Sequence, residues 1–84
     1  MNEGKSRANI DRAERVEALL REPLIIEAFE TLEKEFVSAW KESPIEATQG
    51  REHIYQLLQA LDGLKGHFRK VLEDGVIAKD RLKF

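Results

Sequence analysis

The sequence predicts an all-α three-helix bundle: an antiparallel hairpin of helices over about 23–42 and 44–74, preceded by a helix over about 9–21. Three observations carry that prediction. Apolar residues recur at steps of three and four along most of the chain, which places them on one face of a 3.6-residue helix. No stretch alternates apolar and polar residues with the period of two that a half-buried strand requires. The only two prolines, Pro23 and Pro44, stand where helices can begin.

Helix by helix, the pattern reads as follows. Ile10, Ala13, Val16, Leu19 and Leu20 form the first stripe, with Asn9 as a candidate cap. Residues 1–8 are expected to be a flexible N-terminus. Pro23 lacks an N–H and its ring clashes with the carbonyl of Leu19, so it favours the start of a new helix. A single long helix kinked at Pro23 is the alternative. In the second helix Ile25, Phe29, Leu32, Phe36 and Ala39 make a stripe that Ile26, Val37 and Trp40 widen. Ser43-Pro44-Ile45-Glu46 reads as a capping box, in which the Ser hydroxyl and Glu carboxylate satisfy free backbone N–H groups. Thr48 and Gly50 offer an alternative start. The connection is short either way, so the flanking helices are antiparallel neighbours.

The third helix carries Ile54, Leu57, Leu61, Leu64, Phe68 and Val71, a coiled-coil-like seam that Leu58 and Leu72 broaden. Gly75 fits the left-handed position after a helix end, which stops the helix near Asp74. Residues 76–84 then form a tail, either a last helical turn or an extended arm. The whole, 1–84, is one domain, and a chain this short buries only about two thirds of its unfolded surface.

Composition excludes some chemistry. The chain has no cysteine, so disulfides and thiolate metal sites are ruled out. His53 and His67 stand roughly 21 Å apart along one helix and cannot share a metal. Glu27, Glu30, Glu33 and Glu35 lack the Glu-x-x-His partners of a bundle-core metal site and read as a solvated face. No nucleophile stands at helical spacing from a histidine. No cofactor, catalytic residue, metal ligand or small molecule is expected, and the chain reads as a non-enzyme. Neither a signal peptide nor a membrane span is apparent, so a cytoplasmic protein with no membrane partner is expected.

Charge is uneven. Residues 1–21 sum to +1, residues 22–46 to −5 and residues 47–84 to +2. Complementarity between helices explains the pattern; an acidic face for a basic partner is the functional alternative. Gly63-Leu64-Lys65-Gly66 has the spacing of a backbone-clamping Gly-x-x-Gly loop, but the seam runs through it unbroken. Its glycines mark either a tolerated bend or a close approach by another helix.

Leu19-Leu20 before Pro23-Leu24, then Ala28-Phe29, Trp40, Ser43-Pro44, Gly50-Arg51-Glu52 and Gly75 give the chain a spacing and length that resemble small helical accessory and structural proteins of tailed bacteriophages and prophages. That resemblance implies a role in virion assembly or packaging, in the host cytoplasm or the virion, and no enzymatic activity. It transfers no site residue.

The leading expectation is a non-catalytic interaction protein, homo-oligomeric or docked on a larger assembly. Its candidate partner-binding residues are Leu58, Leu72, Val76, Ile77, Leu82 and Phe84. The alternative is nucleic-acid binding or regulation through Lys65, Arg69, Lys70, Lys79, Arg81 and Lys83 at the basic C-terminal end.

Overall fold

Three α-helices follow one another: α1 (Glu3–Arg21), α2 (Pro23–Glu42) and α3 (Thr48–Leu82). The computed structural model describes residues 3–82, with side chains through residue 80. There is no strand among them, and the architecture is an all-α three-helix bundle. At about 1.5 Å per residue the helices measure about 28, 30 and 52 Å. α3 is therefore the spine, and the other two share its length. α1 lies antiparallel along the C-terminal half of α3, with Ala13 opposite Gly75. α2 lies antiparallel along the N-terminal half, with Glu33 bonded to Lys65 and Phe29 against Phe68. The α1–α3 contact is the most extensive of the three and α1–α2 the least.

α1 and α2 are separate helices, not one kinked rod. Glu22 between them is extended (φ −71°, ψ 119°), and its carboxylate accepts from the Leu24 N–H at 3.3 Å. Pro23 occupies the first turn, where its missing N–H costs nothing. The Glu22 N–H closes the end of α1 on the Leu19 carbonyl at 3.1 Å.

Three sequence expectations need correction. The capping box at Ser43 does not form, and α3 starts at Thr48, the alternative position. Ser43 serves the preceding helix instead: its N–H and hydroxyl both donate to the Trp40 carbonyl, at 3.3 and 2.6 Å. A C-terminal carbonyl exposed at the end of α2 competes successfully for the serine that would otherwise cap α3. Second, α1 begins at Glu3, so residues 3–8 are helical and Ser6 is only 5% exposed. Third, α3 does not stop at Asp74. Gly75 has no positive φ and lies within the helix. Of the two forms open for the tail, the helical one is found through Leu82, continuous with α3, while residues 83 and 84 lie outside the described chain.

The reason α3 continues is one contact. A Cβ at Gly75 would collide with the Ala13 Cβ and stand 3.4 Å from the Asn9 carbonyl oxygen and 3.7 Å from the Ala13 Cα. Glycine here lets the backbone of α1 come against α3. The steps of three and four continue through Gly75, Ala78 and Leu82, with small residues in the middle. Ser6, Ala13 and Val16 of α1 and Val71, Gly75 and Ala78 of α3 are all buried. Gly63 and Gly66, by contrast, meet open space, so the close approach considered for them occurs at Gly75 instead.

The result is long and thin. The Cα envelope measures 59 × 27 × 14 Å and the radius of gyration is 17.8 Å. A chain of this length in an ordinary globule would have a radius of about 12 Å. Accessible surface is 6680 Å², against about 5,100 Å² for a typical monomer of this mass. Ala13, Val16, Leu61, Val71 and Ala78 form the buried apolar core, and no side chain in it is completely enclosed. α2 has no buried residue at all. Its stripe is real but only half covered, because α3 is the one helix packed along it.

Candidate interaction surface

The site with most shape lies where the end of α1, the start of α2 and the middle of α3 meet. Pro23 breaks the helix there, and Leu20, Ile26, Phe29, Phe68 and Leu72 line a cleft at the junction. Phe29 and Phe68 meet edge to face, with ring centroids 6.2 Å apart and planes at 89°. That arrangement sets the positive edge of one ring on the negative face of the other. The cleft holds about 360 Å³, and Glu30, Lys65 and Arg69 stand at its rim.

A second depression of about 410 Å³ continues from the first through Arg69 and Leu72, past Glu73, to Val76 and Ile77. Helical geometry explains why it is open. Leu72 and Val76 each follow a seam residue, Val71 and Gly75, by one position, or about 100° around the helix. α1 covers the seam and misses this flank. Leu72 also lies seven residues beyond Lys65 and fourteen beyond Leu58, on the row that faces α2 nearer the turn. Phe29 of α2 packs on Phe68 and Ile26 lines the cleft with Leu72, while Val76 and Ile77 beyond them stay uncovered. Val76 is 62% exposed and Ile77 50%.

The six partner-binding candidates therefore separate. Leu72, Val76 and Ile77 come together in this groove. Leu58 is half-buried in the α2-facing row, about 21 Å away along α3. The Leu82 side chain and Phe84 lie outside the described residues. Leu20, Ile26, Phe29 and Phe68 belong to the cleft, and only their tertiary meeting point reveals that. No local signal in the sequence pairs Leu20 with Phe68.

The basic candidates do not gather into one patch. Lys65 donates to Glu33 of α2 at 2.9 Å. This pair realises the helix-to-helix charge complementarity that the segment sums suggest. Arg69 stands on the groove rim, and Lys79 falls on the same flank. Lys70 lies about 140° around the helix from Lys65. Arg81 and Lys83 fall outside the described side chains. Within α1 the ion pairs Glu3–Arg7, Asp11–Arg15 and Glu17–Arg21 are solvent-exposed i,i+4 contacts. Exposed pairs of this kind each contribute about 0–1 kcal/mol.

A second cluster was not legible as a unit in the sequence. Arg51, in the first turn of α3, reaches back over the end of α2. Its Nη1 donates to the Ser43 hydroxyl at 2.8 Å, the Ser43 carbonyl at 3.0 Å and the Trp40 carbonyl at 3.3 Å. The guanidinium carbon lies 4.4 Å from the centroid of the Trp40 ring. A cation at the C-terminus of α2 also meets the negative end of that helix's dipole. The cluster ties the hairpin turn rather than forming a binding site.

His53, His67, Glu27, Glu30, Glu33 and Glu35 are all exposed, with Glu30 at the cleft rim and Glu33 bonded to Lys65. Among the described residues no group of three or more His, Cys, Asp or Glu is placed to hold a metal. Among them, too, no helix is long and apolar enough to cross a membrane. No family model matches the chain, and no curated protein or solved structure matches it either.

Proposed function

We propose that this chain is a non-catalytic helical interaction protein, a component of a larger assembly, and that the open groove along α3 is its contact surface. The observation that carries this reading is Val76 and Ile77 exposed beside Leu72 on a helix flank that α1 and α2 both leave bare. Contiguous apolar surface rimmed by charge is characteristic of protein contact sites. The groove walls are hydrocarbon, and its charged groups stand at the rim, where they orient a partner rather than act on a substrate. In the tailed-phage setting that the sequence resemblance suggests, such a chain would serve as a virion-assembly or packaging accessory.

A photo-crosslinking amino acid at Val76, compared with one at exposed Gln56 on the opposite side of α3, tests the reading in cells that naturally make the protein. The expected result is a discrete protein adduct from position 76 and none from position 56. Equal labelling, or no adduct from either, overturns it.

A further inference from the structure

We infer that the partner in this groove is a second copy of the same chain, docked antiparallel on α3 about a two-fold axis near Leu72. The inference rests on the interaction reading above and names its occupant. Three features point to self-association. The first is area. The chain exposes roughly 1,500 Å² more than a typical monomer of its mass, and each partner in a standard interface covers about 800 Å². A single copy of the same surface is enough to cover the groove.

The second is charge symmetry. A two-fold interface must be complementary to itself, so it needs both signs on one patch. The groove carries Arg69 on one side of Leu72 and Glu73 on the other, one turn apart on α3. Neither makes an ion pair within its own chain among the described residues. Reversing the helix direction about Leu72 brings Arg69 of one copy toward Glu73 of the other, and the reverse. A partner of uniform charge would leave one of the two opposed.

The third is shape. In that antiparallel register Val76 of one copy lies opposite the turn of α3 that runs from Gly66 to Phe68 of the other. The cleft of about 360 Å³ between Leu20, Ile26 and Phe29 opens at that position. The exposed end of the groove and the hollow end are therefore exchanged by the same rotation. One docking event covers Val76 and fills the cleft twice.

Sedimentation equilibrium of the full chain from roughly 1 to 200 µM tests self-association in the affinity range of modest interfaces. The expected result is a monomer–dimer equilibrium. Arg69→Glu and Glu73→Arg should each weaken the dimer by about tenfold or more, and the double reversal should recover most of that loss. Because the chain lacks cysteine, Leu72→Cys introduces a single thiol. Near the axis it should oxidise to a covalent dimer, while Gln56→Cys should not. Circular dichroism checks that each variant keeps its helices. If Leu72→Cys fails to fold, the surface charge reversals decide alone. A strictly monomeric chain overturns the inference, and so does a dimer indifferent to the charge reversals. A monomer that still crosslinks another protein from position 76 overturns the second copy while leaving the interaction reading intact. A monomer without such adducts removes both.

Discussion

The two halves of α3 are packed in opposite ways. Against its C-terminal half, α1 brings small residues: Ser6, Ala13 and Val16 are buried there, Ala13 meets Gly75, and Ala78 of α3 is 3% exposed. Against its N-terminal half, α2 brings large ones, yet none of them is buried. The side with more hydrocarbon thus has less of it covered. Burial follows how closely backbones approach, and small residues permit the closer approach. Large side chains hold helices further apart, and they are enclosed only when a third element closes the gap between them. The C-terminal half needs two helices to complete its seam; the N-terminal half would need three.

Substitutions at glycine separate these halves most sharply. Gly75→Ala places a methyl group against the Ala13 Cβ and backbone, neither of which can swing aside. Overpacking of this kind costs about 1–3 kcal/mol, which lowers the melting temperature of a domain this size by roughly 5–15 °C. Adding Ala13→Gly should return much of the loss in thermal unfolding, because it vacates the same space. If Gly75→Ala proves neutral, the tight seam does not exist.

Arg51→Ala comes next. It removes donors to three oxygens and a cation over Trp40. The expected loss is about 1–2 kcal/mol in urea unfolding, reduced by solvent exposure of the cluster. Arg51→Lys should keep less than half of the stabilisation, since an ammonium cannot span Ser43 and lie flat on the indole. Equal stability of Arg51→Lys and the parent chain would mean that charge at the end of α2 is all that matters.

Gly63→Ala and Gly66→Ala are expected to act in the opposite direction. Both positions face open space, so each substitution should stabilise by about 0.5–1 kcal/mol through helix propensity and lost freedom of the unfolded chain. Destabilisation at either would place a neighbour there and weaken the contrast between the two halves.

Much of this architecture was legible in the sequence. Steps of three and four located all three helices, and Pro23 marked the break between α1 and α2. The differences share one physical cause: a local signal carries no information on the tertiary contact that competes with it. Gly75 has the right residue type for a helix end, but its use depends on Ala13, sixty-two positions away. Ser43 fits an N-cap, but the carbonyl of Trp40 and the reach of Arg51 claim its hydroxyl. Ser6 is polar, so an apolar stripe does not include it, although its size suits the seam. Within the groove, Val76 and Ile77 could be singled out as too apolar for an idle terminus. The cleft beside them could not, because it exists only where Leu20, Ile26 and Phe68 converge.

The contact at Gly75 bears on how the chain can change over time. Every other amino acid carries a Cβ, so no conservative replacement exists at this position, and any missense change meets the same obstacle. Relief requires a coordinated change on α1, at Ala13, where glycine is the sole smaller residue. The pair should therefore drift together or not at all, while the exposed glycines of the same helix remain free to vary. A single absent side chain fixes how far the N-terminal helix can diverge from the C-terminal one.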